Sequence, residues 1–299
     1  MNIDTENWDE ESSIDLRELF VRFWQKRWWI ISSVVVCATA FTVAAFTITP
    51  VYRVTALLVP VSSERGSNGI LGAALGQLGG LASLAGIGLK SGDSETEEAL
   101  AVLRSRQFTE SFIRDKQLMP VLFPKNWDSV SKKWKVANED QPTSAKAYKY
   151  FNETIRAISQ DKKTGLIALQ IDWKDRNEAA VWANELVQRL NAEMRARAIA
   201  KADASVGFLQ KELMSTSDVG TREAINRLIE AQIKQRMLAN VTQEYAFRVV
   251  DKALAPDADD PIWPKKMLMI VFGPLFGLIL GVVVVFAFTN VLTGKEKNQ

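Results

Sequence analysis

Adjacent carboxylates at Glu97 and Glu98, and at Asp259 and Asp260, could pass a proton to and from a substrate, one held as acid and the other as base. The first pair opens an expected helix and the second lies in a proline-bearing loop, positions where carboxylates cap helix ends or face water. The one cysteine, Cys37, sits inside an apolar run and has no second thiol to pair with. The 299 residues include no histidine, which removes the usual general base at neutral pH and the commonest metal ligand. Ser-His and His-metal chemistries are thereby excluded. No GxxxxGK[ST] loop is present, so a nucleotide phosphate has no cradle. The expectation is a protein with no catalytic residues, no cofactor-binding residues and no metal site.

A different kind of spacing has a clear physical use. Gly273, Gly277 and Gly281 recur every four residues inside an uncharged run, clearing one face of a helix so that another backbone can approach it. Successive steps of four drift by only about 40° around a helix, so the three stay on one face. Gly277 is expected to be the centre of a contact with the first apolar segment, through Ala40 and Ala44, or with a helix of a partner. Upstream, Pro256, Pro261 and Pro264 fix φ and forbid helix until the run begins.

These residues need elements to hold them. Residues 267–289 form 23 uncharged positions, and 28–49 form 22, each long enough to cross a bilayer core of roughly 30 Å as a helix. The chain is expected to be a hairpin in the membrane with residues 50–266 on one side. The tail 1–27 carries seven Asp/Glu and four Lys/Arg, too acidic for a cleaved signal peptide. Its Leu16, Leu19, Phe20 and Phe23 give one apolar helical face, expected to lie along the membrane surface, with Trp24, Trp28 and Trp29 at the head groups. Basic residues before the first span, and Lys295 and Lys297 after the second, put both termini, including the 290–299 tail, in the cytoplasm. Lys265 and Lys266 then snorkel at the outer interface.

Between the spans, 51–61 reads as a strand. Residues 66–92 hold nine of the 16 glycines. There Gly72, Gly76 and Gly80 would let a helix approach another backbone, in a buried or membrane-touching loop. A helix is expected over 94–116, a connector rich in Trp, Lys and Pro over 119–141, a short helix from Thr143 into Ile155, and a hairpin of 155–159 with 166–173. A helix of some 40 residues follows from Asp175. Its apolar positions Trp182, Leu186, Leu190 and Met194 give way to scattered alanines, so it should project from the base or pack on other copies. A second helix returns from Thr221 to Tyr245 with Ile225, Leu228, Ile229, Ile233, Met237 and Val241, and 247–254 reads as a returning strand.

The fold class is α+β. Two terminal transmembrane helices (28–49 and 267–289) flank a periplasmic α/β base (50–174), a long helical hairpin (175–245), and a return strand with its proline segment (246–266). Net charge of +2 gives no basic excess for nucleic acid.

In order along the chain, IDLRELF…KRWW, YRVTALLVPV, LGGLASLAGI, LMPVLFPKNWD, KTGLIALQI, NEAAVWANELVQRLN and FRVVDKALAPDADDPIWPKK resemble the Wzz-type polysaccharide co-polymerases, or chain length determinant proteins. The resemblance implies an α/β base beside the inner membrane with a long helix projecting into the periplasm, and a ring-like homo-oligomer. It implies control of the chain length of O-antigen or a related surface polysaccharide by a scaffold that is no enzyme. The implied partners are a separate membrane polymerase and, as a further ligand, a lipid-linked polysaccharide. Some relatives carry a fused tyrosine kinase after the second span; with ten residues following this span, none is expected here, while a separate kinase partner stays open. Two other readings stand beside it. One is the membrane component of a capsule or exopolysaccharide export system working with a separate tyrosine kinase or outer-membrane channel. The other is a two-span extracytoplasmic ligand sensor, which would need an output domain that short tails do not supply.

Overall fold

The structure, a computed structural model, describes residues 27–61 and 91–296. The surface helix expected in the 1–27 tail and the close-approach glycines Gly72, Gly76 and Gly80 lie outside the described residues. The chain divides into two units: Met1–Val51 with Pro261–Gln299, and Tyr52–Asp260.

The first unit is an apolar helix pair. α1 spans Arg27–Thr47 and α8 spans Lys266–Glu296. Both are long and apolar enough to cross a membrane. α8 continues past the apolar run because Asn290 to Glu296 contains no proline to stop it. It also contains Pro274, which withholds an N–H from the carbonyl four residues earlier.

The second unit is built on a four-stranded antiparallel sheet in the order β4-β5-β1-β6. Its strands are β1 (Tyr52–Pro60), β4 (Arg156–Gln160), β5 (Ile167–Trp173) and β6 (Phe247–Asp251). β1 takes the centre because its β-branched and apolar residues alternate cleanly. Val54, Ala56 and Leu58 point into the core, while Arg53 and Thr55 face water. Tyr52 pairs with Trp173 and Leu58 with Ile167, so the buried positions of β1 lie opposite Ile167, Leu169 and Ile171. The ladder from β1 to β6 slips by one residue between Leu57 and Leu58.

Helices cover one face of this sheet. The stretch expected as one helix over 94–116 is two, α2 (Ser91–Arg104) and α3 (Arg106–Asp115). Ser105 breaks it: its backbone is extended at ψ 148° and its hydroxyl accepts from Phe108 N, an N-cap competing with helix continuation. In the 119–141 connector are the short helix α4 (Met119–Leu122) and a two-stranded ribbon, β2 (Trp127–Asp128) and β3 (Lys133–Trp134). Trp127 and Trp134 close the ribbon edge to face, ring centroids 5.0 Å apart. α5 (Ser144–Tyr150), capped by the Thr143 hydroxyl, runs into a π-helical turn at Phe151–Ile155.

α6 (Arg176–Ser215) is 40 residues long and α7 (Val219–Val241) returns along it. The first half of α6 enters the core. Ala179 and Ala183 let the helix lie close on the sheet, and Trp182, Leu186, Val187, Leu190 and Met194 are buried. Only the second half depends on α7, through Ala202 and Val206 on one helix and Ile225 and Ala239 on the other. Arg236 donates to Asp203 across the pair at 2.8 Å. Of the apolar stripe expected on α7, Ile225 is buried, whereas Leu228, Ile233, Met237 and Val241 are exposed.

Candidate functional site

In the helix pair, Gly273, Gly277 and Gly281 are all buried, and Val285 continues the same four-residue step. A Cβ at Gly277 would fall 2.7 Å from Val34 Cα, 2.9 Å from Cys37 Cβ and 3.0 Å from the Ser33 carbonyl oxygen. At Gly273 it would lie 2.9 Å from Phe41 Cβ, and at Gly281 it would lie 3.1 Å from Ile30 Cα. The opposing surface is therefore Ile30, Ser33, Val34, Cys37, Ala38 and Phe41. Ala40, offered as a contact from the sequence, is exposed.

Close approach brings a second element that spacing could not reveal. The Ser33 hydroxyl donates to the Gly277 carbonyl at 3.0 Å, a cross-helix bond open only because Gly277 has no side chain in the way. A serine in an apolar run gives no sequence signal of this. Phe41 and Phe276 flank the face with centroids 6.0 Å apart, and Lys266 lies over the Phe46 ring at 5.6 Å.

The three prolines fall in both units. In the first, Val51 donates to the Trp263 carbonyl at 2.8 Å and Ile262 donates back to the Val51 carbonyl at 2.9 Å, a bridge between Pro261 and Pro264. Pro264 is buried and follows a cis peptide. In the second unit, the Pro256 carbonyl accepts from Arg176 at 2.8 Å.

Glu97 and Glu98 are exposed on α2, and Asp259 and Asp260 are exposed in their loop. Among the described residues no group of three His, Cys, Asp or Glu could hold a metal ion.

Two polar constellations inside the second unit are structural. Arg156 is 5% exposed and has no carboxylate beside it. It donates to the Leu103 carbonyl at 2.7 Å, Thr109 Oγ1 at 3.0 Å and Asn152 Oδ1 at 2.8 Å, joining the end of α2 to α3 and the π turn. Burial pushes its pKa down to about 10, so it stays charged at neutral pH. The second constellation is a pair of asparagines one heptad apart on α6. Asn191 accepts from Ala246 N and Phe247 N and donates to the Phe247 carbonyl, while Asn184 accepts from Ala253 N and donates to the Ala253 carbonyl. Each amide acts as a neighbouring strand would, fixing the outer edge of β6 to the helix.

Two protein families match the sequence: chain length determinant protein (Wzz) over residues 12–116, and "G-rich domain on putative tyrosine kinase" over 208–289. Residues 12–116 are a chain length determinant (Wzz) domain. The first match of this Wzz-type chain takes in α1, β1, α2 and α3, and the second takes in α7, β6 and the glycine face of α8. Among solved structures, the Wzz-type chain is similar to a "full-length bacterial polysaccharide co-polymerase" at 14% identity and a TM-score of 0.42, covering 93% of this chain and 99% of that one. It is also similar to a "Fragment of WzzB, Polysaccharide Co-polymerase from Salmonella Typhimurium" at 12% identity and a TM-score of 0.31, covering 70% of this chain and 98% of the other. No curated protein matches.

Proposed function

We propose that the protein is an inner-membrane polysaccharide co-polymerase that sets the chain length of O-antigen or a related surface polysaccharide. It acts as a ring-like homo-oligomeric scaffold beside a separate membrane polymerase, as a regulator and not a catalyst. The observation that carries this reading is the chain length determinant match that takes in the first apolar helix, in a chain whose second apolar helix packs on the first through bare glycines. In this reading α1 and α8 cross the inner membrane, residues 50–266 are periplasmic and both termini are cytoplasmic. The Lys/Arg bias outside the spans supports that orientation.

Self-association is supported by the apolar side chains that α7 leaves in water, Leu228, Ile233, Met237 and Val241, which run down one helix. The glycine face is the part of the molecule suited to hold the two spans together, or to admit a polymerase helix in exchange.

Deleting the gene and resolving the surface polysaccharide on a gel tests the proposal. The expected result is loss of the modal length, giving an unregulated ladder. An unchanged distribution overturns it. The match to a domain described on a tyrosine kinase favours a second reading, a membrane component of capsule or exopolysaccharide export working with a separate kinase or outer-membrane channel. Loss of capsule or exopolysaccharide with lipopolysaccharide length intact would select that one.

A further inference from the structure

Between α6 and the outer edge of β6 runs a groove of about 620 Å³, within the range of small-ligand sites. Val187, Ala192 and Val249 are its apolar lining. At its back Asn184 and Asn191 are spent on the backbone of Ala246, Phe247 and Ala253, so this wall is rigid. Its rim is different. Gln188, Arg195, Gln243 and Lys252 line it, and their side chains make no hydrogen bond or ion pair with any described residue. Nearby cations on the same helix do pair, Arg189 with Asp115 and Arg197 with Glu193. Glu244 is the one carboxylate of the groove and accepts from Val249 N at 3.3 Å.

The groove thus offers two side-chain amides, each able to donate and accept, two cations that form no ion pair against one carboxylate, Glu244, and a small apolar lining. Amides answer the paired donor and acceptor character of sugar hydroxyls. The apolar lining answers the C–H face of a sugar ring, and the guanidinium and ammonium answer a carboxylate carried on that ring.

We propose that this groove binds a stretch of acidic polysaccharide, with Gln188 and Gln243 on hydroxyls and Arg195 and Lys252 on a uronate carboxylate. The proposal rests on the co-polymerase reading and deepens it. The protein itself holds the glycan whose length is being set, so residence of the chain on the protein is part of the measurement.

The experiment is titration of the full chain in lipid nanodiscs with oligogalacturonate, with neutral malto-oligosaccharide of equal length and with inorganic phosphate. The expected result is saturable binding of oligogalacturonate, weakened by about tenfold or more in Arg195→Ala/Lys252→Ala and in Gln188→Ala/Gln243→Ala. Thr55→Ala, on the solvent face of β1, should bind as the parent does. Thermal unfolding of each variant, expected to be unchanged at these partly or fully exposed positions, separates lost binding from lost folding. Equal binding by parent and both double variants overturns the proposal, as does equal affinity for the neutral sugar. Saturation by phosphate alone overturns the saccharide assignment. Absence of any saccharide binding, with modal length still lost on gene deletion, overturns the groove and leaves the length-control reading standing.

Discussion

A methyl group at Gly277 would meet Val34 Cα and Ser33 O, atoms of a helix backbone that cannot rotate away as a side chain can. Gly277→Ala should therefore push the helices apart and cost about 1–3 kcal/mol of helix-pair stability, with Gly277→Leu at the upper end. Gly281→Ala, whose nearest contact is 3.1 Å, should cost less, and Ile279→Leu, at an exposed position, should be near neutral. Denaturation of detergent-held protein by SDS, followed by circular dichroism, ranks them. An equal midpoint for all four would show that the glycine face is incidental. At the same scale, Arg156→Ala strands a helix-end carbonyl, a threonine hydroxyl and an asparagine oxygen together, a loss on the order of 3 kcal/mol in urea unfolding. The pH dependence runs the other way from a salt bridge. The folded pKa lies below the ordinary value, so the unfolded chain binds more protons only from about 10 up to the ordinary guanidinium value, and stability from this group rises with pH only there. Between pH 5 and 9 parent and Arg156→Ala should lose stability in parallel; a gap that changes across that range contradicts the assignment.

Elements were legible where one period ran long enough. β1, the β4–β5 hairpin, α6 and α7 lie where alternation or helical spacing puts them, because Val54, Ala56 and Leu58, or Trp182, Leu186 and Leu190, repeat the burial they report. The break at Ser105 was missed because the apolar pattern passes across it, while one hydroxyl on Phe108 N decides it. The β2–β3 ribbon has two residues a side, too few for any period. Least visible were the asparagines, whose partners lie 55 to 69 residues away. Asn191→Ala orphans two N–H groups and a carbonyl beneath β6, so it should destabilise by about 2–4 kcal/mol. Asn184→Ala, at a half-buried position, should do less. If chemical denaturation gives the two the same small effect, the clamp contributes nothing. At the far end of the hairpin Asp218 caps α7 through Thr221, bonds that hold its carboxyl below the ordinary range. Its stabilisation is present above the unfolded carboxyl pKa and lost as pH falls through the lower folded value. Asp218→Asn should remove that acid sensitivity, read as hydrogen exchange at Thr221 and Arg222 below pH 4.

For the whole molecule, the exposed stripe of α7 predicts that Met237→Lys/Val241→Lys lowers the mass measured by light scattering in mild detergent. An unchanged mass would locate self-association elsewhere. The sheet order carries a further consequence, in the time domain of synthesis. β1 is made first and is central, yet its neighbours are β5 and β6, with Leu57 opposite Asp251. During elongation β1 waits with both edges open, first for residues 167–173 and then for 247–251, and pairing over such separations is slow. A ribosome stalled past β5 but short of β6 would hold a three-stranded sheet with one raw apolar edge, the species expected to recruit chaperones or to aggregate. Quality control of this protein should therefore concentrate on the stretch between β5 and β6, and nonsense truncations there should be cleared faster than truncations before β5, which leave no sheet to expose.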